Sequence, residues 1–284
     1  MVEPPQLIPE DLAPGDVRAL EVDWTGLHVV RVRTPDHPLL PRLYARLWEE
    51  FGPRGEMEKE SVIVQRLGWN PRQPVEHHAL LYEMLAVLAG DEVVGIRDHT
   101  AIVPMPPHRG DHPGQVIVHL SHVLVEPPLR GGGLSAWLRA FPLQAARECA
   151  AAAGEPASDR ITLVAEMEHP DGHTPAVMAR LRSYDRAGFR KIDPDVVRYV
   201  QPDFRPPAEI DASSVQPVPL SLVVRRVGRE HESAVAGAEV RAIVRALYTM
   251  FGVHTRADHM APLWGLLDHF PGPGETVALR SPLG

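Results

Sequence analysis

The chain has 284 residues, a formal charge of −8 and 44% hydrophobic residues, enough for one large domain or for one domain with an extension. The acidic balance argues against nucleic acid as the main partner, and no apolar run approaches the ~18 residues that a membrane span needs. The single cysteine, Cys149, excludes an internal disulfide and suits a reducing cytoplasm.

Residues 1–26 read as an irregular N-terminal arm, and Met1-Val2-Glu3-Pro4-Pro5 lacks the basic start and apolar core of a secretory signal. Leu27 to Val32 is β-rich and predicts a first strand. Leu39, Leu43, Leu47 and Phe51 recur every four residues, the stripe of a helix over Pro38–Phe51 that Gly52-Pro53 stops. Glu56 to Leu67 predicts a second, short helix. Ala79–Ala89 and Glu92–Val103 flank Gly90-Asp91 as a β-hairpin, with Gly95 marking a bulge. Val116 to Val125 is the next strand. Leu134 to Ala153 is helical, with Pro142 forcing a kink or a break because proline lacks the N–H and clashes with the preceding turn. Ile161–Met167 is a short strand. Thr174 and Pro175 cap and start a helix that Gly188 closes near Ala187. Val196–Tyr199 and Leu220–Val227 predict two more strands. Beyond residue 228, Val240, Val244, Leu247 and Phe251 form an amphipathic stripe, and Met260–Leu267 a further helix. The order is α+β with a central mixed sheet flanked by helices.

The strand end Val123-Leu124-Val125 runs into Arg130-Gly131-Gly132-Gly133-Leu134-Ser135 and then a helix. Successive glycines let backbone N–H groups converge on one point, and the first helical turn adds its unpaired amides and positive dipole end. That suits a phosphate-bearing ligand, with Arg130 as a positive charge at the mouth. The lysine that a Walker-type loop requires is absent, and the loop sits mid-chain rather than in a first βα unit.

The pattern R-x-x-G-x-S after a Val-x-Val strand end resembles the acetyl-CoA pyrophosphate loop of the GNAT superfamily of N-acetyltransferases, with Ser135 departing from the usual glycine or alanine. Tyr184-Asp185-Arg186-Ala187-Gly188-Phe189 resembles that family's Y-[ED]-[KR]-x-G-F segment, while Val177 stands where the family often has asparagine. The resemblance covers residues 27–228 and implies a GNAT domain there, preceded by the arm (1–26) and followed by a C-terminal helical extension (229–284). It implies acetyl-CoA as co-substrate, Arg130–Ser135 around its pyrophosphate, and the backbone of Val123, Leu124 and Val125 along its pantetheine arm, where two central parallel strands splay apart. Tyr184 corresponds to the acid that protonates the departing thiolate. His119 stands where many members carry the general base.

Period-two alternation puts His119, Ser121, Val123 and Val125 on one face and His122 on the other. Histidine near pKa 6.5 accepts a proton directly or through water, and Glu166, late in the neighbouring strand, is the rival base. The expected activity is direct acetyl transfer to a primary amine of a small molecule, peptide or protein, and the acidic balance mildly favours cationic acceptors. Two alternatives stay open: a non-catalytic acyl-CoA-binding or sensing module, and an interaction protein with a vestigial loop. A homodimer through residues 229–284 is also open. No metal is expected: His108 and His112 are four apart, but Pro106, Pro107, Gly110 and Pro113 forbid a helix there, and His254 and His259 do not share a helical face. Cys149 lies on an apolar helix face and no G-x-S-x-G elbow occurs, which disfavours a hydrolase.

Overall fold

The computed structural model describes residues 6–108, 115–156 and 160–284. Met1–Pro5, and the Gly110, His112 and Pro113 of the metal argument, lie outside the described residues.

The β-rich run Leu27–Val32 forms β1. The four-residue stripe forms α1 (Leu40–Phe51), which buries Leu43 and Leu47, and α2 follows over Glu60–Leu67. The hairpin is β2 (His78–Ala89) and β3 (Glu92–Pro104). Its register shifts between Val87 and Leu88, opposite Gly95 and Val93, so the extra residue is Val94, beside the predicted glycine. β4 is Val116–Val125. The proline splits the next helix into α3 (Leu134–Ala140) and α4 (Pro142–Ala152). β5 (Ile161–Met167) and α5 (Pro175–Arg186) follow.

Four expectations need correction downstream and upstream of this core. Val196–Tyr199 is not a strand; the pairing residues are Arg190–Ile192 (β6) and the short Val200–Gln201 (β7), because Asp193 turns the chain through bonds from the Val196 and Val197 amides. After α6 (Pro207–Ser213), β8 (Val218–Pro219) and β9 (Ser221–Arg226), residues 229–284 are not purely helical. They contribute β10 (Ala234–Ala236), α7 (Gly237–Gly252), α8 (Ala257–Leu266) and β11 (Thr276–Arg280). Thr174 makes no side-chain cap; the Asp171 carboxylate instead accepts from the amides of His173 and Thr174 and from the Thr174 hydroxyl. From residue 6 onward the N-terminal arm is ordered, with 3-10 turns at Pro9–Asp11 and Pro14–Glu21.

Among the described residues, nine strands form one sheet in the order β1-β2-β3-β4-β5-β9-β6-β11-β10. Its pairings are antiparallel except β4 with β5. Both faces are covered, as a sheet with a parallel centre requires. One face packs against α3, α4 and α5 through Leu138, Phe141, Leu143, Cys149, Leu181 and Tyr184. The other packs against α1 and α2 at one end and α7 at the other, through Leu43, Leu47, Ile63, Val244, Leu247 and Phe251.

Candidate active site

β4 and β5 pair only from Val116↔Ile161 to His119↔Val164. Beyond that point β4 pairs with β3 alone and β5 with β9 alone, so the two parallel strands fork. The local cause is a bulge: Ser121 and His122 of β4 stand opposite the single residue Asp98 of β3. An extra residue bends and twists its strand away from the flat ladder. The bulge also overturns the predicted alternation. Ile117 faces α7 and His119 packs edge-on against Phe251 of that helix, but Val123 and Val125 face α3. His122 turns to the α1 side, against Phe51.

The fork holds a connected polar group. His119, 3% exposed, sets Nε2 2.9 Å from Glu166 Oε2, and its Nδ1 lies 3.1 Å from Ser121 Oγ. Glu166 also accepts from the Tyr199 hydroxyl at 2.5 Å and from Gln201 Nε2 at 3.3 Å. With Nε2–H turned to Glu166, Nδ1 is the free acceptor, and Ser121 O–H points at it. The two residues predicted as rival bases are thus joined in one chain, which Ser121 continues.

The glycine turn leaves β4 as expected. Gly131 and Gly133 have φ of 86° and 87°, a region that side chains rarely adopt. Gly131, Gly132 and Arg130 are exposed, Ser135 is half-buried, and Leu134 packs inward. The amides from Gly131 to Ala136 find no acceptor among the described residues. Arg130 donates through Nε to the Val125 carbonyl at 2.9 Å, which bridges strand end and turn. One side of the turn is not open. The arm lies on it, with Arg18 donating through Nη2 to the Gly131 carbonyl at 2.8 Å, and a Cβ at Gly133 would strike the Arg18 carbonyl oxygen.

Tyr184 sits on the α5 face, on the opposite side of the sheet from His119. It is buried, and its hydroxyl accepts from Arg97 Nη2 at 3.2 Å. The Arg139 guanidinium lies 5.1 Å from its ring centroid. Burial alone would raise the phenol pKa, but the Arg97 and Arg139 charges, with Arg180, outweigh it and hold it below its ordinary range. The motif reading had no place for Arg97, a fully buried cation on β3 with neither Nε nor Nη1 partnered among the described residues. Its only sequence signal is the run Arg97-Asp98-His99 inside an otherwise apolar strand. Asp98 from that run bonds the amide and Nδ1 of His122, and accepts from the Tyr82 hydroxyl.

A cavity of about 130 Å³ opens between α2, the Asp203–Ile210 segment and the α7–α8 junction. Phe251, which touches His119, is one of its walls; Val62, Phe204 and His254 are others. Cys149 is buried, and burial pushes its thiol up to about 12, so it has no nucleophilic role. Among the described residues, no cluster of three or more His, Cys, Asp or Glu side chains could hold a metal ion, and no helix is long and apolar enough to cross a membrane.

No family model matches this chain, and neither does any curated protein. Solved structures similar to it include an acetyltransferase assigned to the GNAT family from Bacteroides thetaiotaomicron, at 16% identity over 72% of this chain and 94% of that one, with a TM-score of 0.42. Another is the ribosomal-protein-S18-alanine N-acetyltransferase of Escherichia coli, at 12% identity over 71% and 94%, with a TM-score of 0.36. A third is an acetyltransferase of Thermus thermophilus, at 21% identity over 71% and 97%, also with a TM-score of 0.36.

Proposed function

We propose that the chain is an acetyl-CoA-dependent N-acetyltransferase that passes the acetyl group directly to a primary amine, with no covalent enzyme intermediate. The observation that carries this reading is the fork: the parallel pair ends at His119 and Val164, a polar relay sits at the fork, and the β4 branch ends in the glycine turn. In this reading the amides of Gly131–Ser135, with Arg130, hold the pyrophosphate, and the backbone of Val123–Val125 lines the pantetheine arm.

The acceptor nitrogen attacks the thioester carbonyl and a tetrahedral oxyanion forms. One amine proton passes through Ser121 to His119 Nδ1, while Glu166 holds the imidazole in the tautomer that can accept it. The C–S bond then breaks, and the thiolate takes the Tyr184 phenolic proton. Arg97 stabilises the resulting phenolate. The acetyl group has to span the fork, because base and acid lie on opposite faces of the sheet. The cavity beside Phe251 is the acceptor's side. A soluble cytoplasmic location belongs to the same proposal.

A second reading, a non-catalytic acyl-CoA-binding module, draws on the arm that covers one side of the glycine turn. Thiol release from acetyl-CoA over a panel of amines separates the two. The enzyme reading expects amine-dependent release that falls about 100- to 1,000-fold in Tyr184→Phe and in His119→Ala. Binding of acetyl-CoA with no release from any amine favours the module.

A further inference from the structure

The arm is more than a tail. Ala13, Asp16 and Ala19 are buried, and Leu7, Val22 and Trp24 pack with Leu134, Trp137 and Phe141. Trp24 meets Trp137 edge-on at 5.0 Å between ring centroids. At one edge the arm presses Gly15 so closely onto the end of α5 that a Cβ there would strike the Arg186 carbonyl. At the other it covers Gly133 at the head of α3. It therefore bridges α3 and α5, the helices that follow β4 and β5.

The chemistry of the contact is that of an anion in a cationic seat. The Asp16 carboxylate, fully buried, takes Arg139 Nη2 at 2.6 Å and Arg139 Nε at 3.2 Å. Arg139 stands over the Tyr184 ring, and beyond it Arg97 has two guanidinium nitrogens with no partner among the described residues. The arm thus fills the groove between α3 and α5, supplies one carboxylate to Arg139, and leaves Arg97 bonded to Tyr184 alone, with Nε and Nη1 unpartnered among the described residues. A buried donor without an acceptor is costly, and the oxygens of an incoming ligand would meet it.

We propose that residues 6–24 form a strap that competes with acyl-CoA for this groove, so that the Asp16–Arg139 pair and the Gly15 seat must release before the cofactor takes its place. This rests on the reading of the glycine turn as an acyl-CoA seat, and the test separates the two. Coenzyme A is titrated calorimetrically into the full chain, into Gly15→Ala, whose new methyl group lifts the strap from α5, and into Asp16→Asn. Far-UV circular dichroism and a cooperative melt verify that each is folded, and Arg18→Ala, an exposed strap position, substitutes for any that is not. Amide exchange over residues 6–24 is followed with and without ligand.

At least tenfold tighter binding by the strap variants, with loss of exchange protection at residues 13–21 when coenzyme A saturates the unmodified chain, is the expected result. Equal affinities with unchanged strap protection overturn the strap and leave the acyl-CoA reading standing. No binding by any variant, although the loosened strap exchanges freely, overturns both.

Discussion

Single side chains decide the electrostatics of the fork. Asp98 and His122 form a buried pair in which burial works against the imidazolium, yet Asp98 pushes its pKa up to about 9. Asp98 is held well below the usual carboxylate range, with burial opposed by the His122 charge and bonds. A raised histidine stabilises the fold fully below its unfolded pKa, near 6.5, and loses that contribution as pH rises through about 9. A depressed aspartate stabilises above its unfolded value, near 4, and loses the contribution at lower pH. Thermal melts should therefore show a falling melting temperature between pH 7 and 9.5 that His122→Gln lacks, although that variant melts lower at pH 7. Tyr184 makes a second test. If it is the acid, the rate falls on the alkaline side below pH 10, and Arg97→Gln moves that limb to higher pH. An unmoved limb would remove Arg97 from any positioning role. Motif and position mark Tyr184, His119 and Glu166 only as candidates. Their partners are not marked at all: alternation assigns faces only while a strand stays regular, and the Ser121–His122 bulge breaks it. Arg97 gave only a polar interruption in an apolar strand, with nothing to say which neighbour it would meet.

At the level of elements, β2 to β5 follow from their continuous apolar runs, buried on both faces, and α1 from its four-residue stripe with one buried face. The Pro142 break was equally legible. Phe141 keeps helical angles, φ −53° and ψ −38°, and Pro142 opens α4 at a position where its missing N–H is tolerated. Pro142→Ala is accordingly expected to shift the chemical-denaturation free energy by less than about 1 kcal/mol, against ~3 for a proline in a helix interior. The α5 cap was less legible. Thr174 is a standard capping residue, but its hydroxyl donates to Asp171, whose carboxylate also takes the His173 and Thr174 amides just ahead of the helix. Hydrogen bonds from Thr174 lower the Asp171 pKa to about 2. Asp171→Ala should loosen the entry to α5, seen as faster amide exchange at His173 and Thr174, whereas Thr174→Val should leave the His173 amide protected.

For the molecule as a whole, the C-terminal segment is built into the core. β11 pairs with β6 and β10 pairs with β11, while α7 covers Ile117, Val164 and Val224. Glu239 in its first turn is buried and takes bidentate bonds from Arg226 at 2.9 Å, with Arg229 beside it. Removing that charge leaves Arg229 without its carboxylate and Arg226 with only Glu232 and the Ala234 carbonyl, so Glu239→Gln should cost roughly 3 kcal/mol in denaturant unfolding. Ending the chain at residue 228 should leave no cooperatively melting protein. Sequence reading saw the α7 stripe but not the two strands, because three- and five-residue strands are too short to show a period. The arm looked structureless for a related reason: its prolines and glycine suppress any repeat, and its order comes from what it lies against. Cys149, sealed between α4 and the carbonyls of Ala79 and Ala101, has a consequence for following that arm. As the sole native thiol, and an unreactive one, it leaves the surface chemically silent toward maleimides. A cysteine introduced at Val17, 47% exposed on the outer side of the arm, would then take a fluorophore alone and report each detachment as a change in emission.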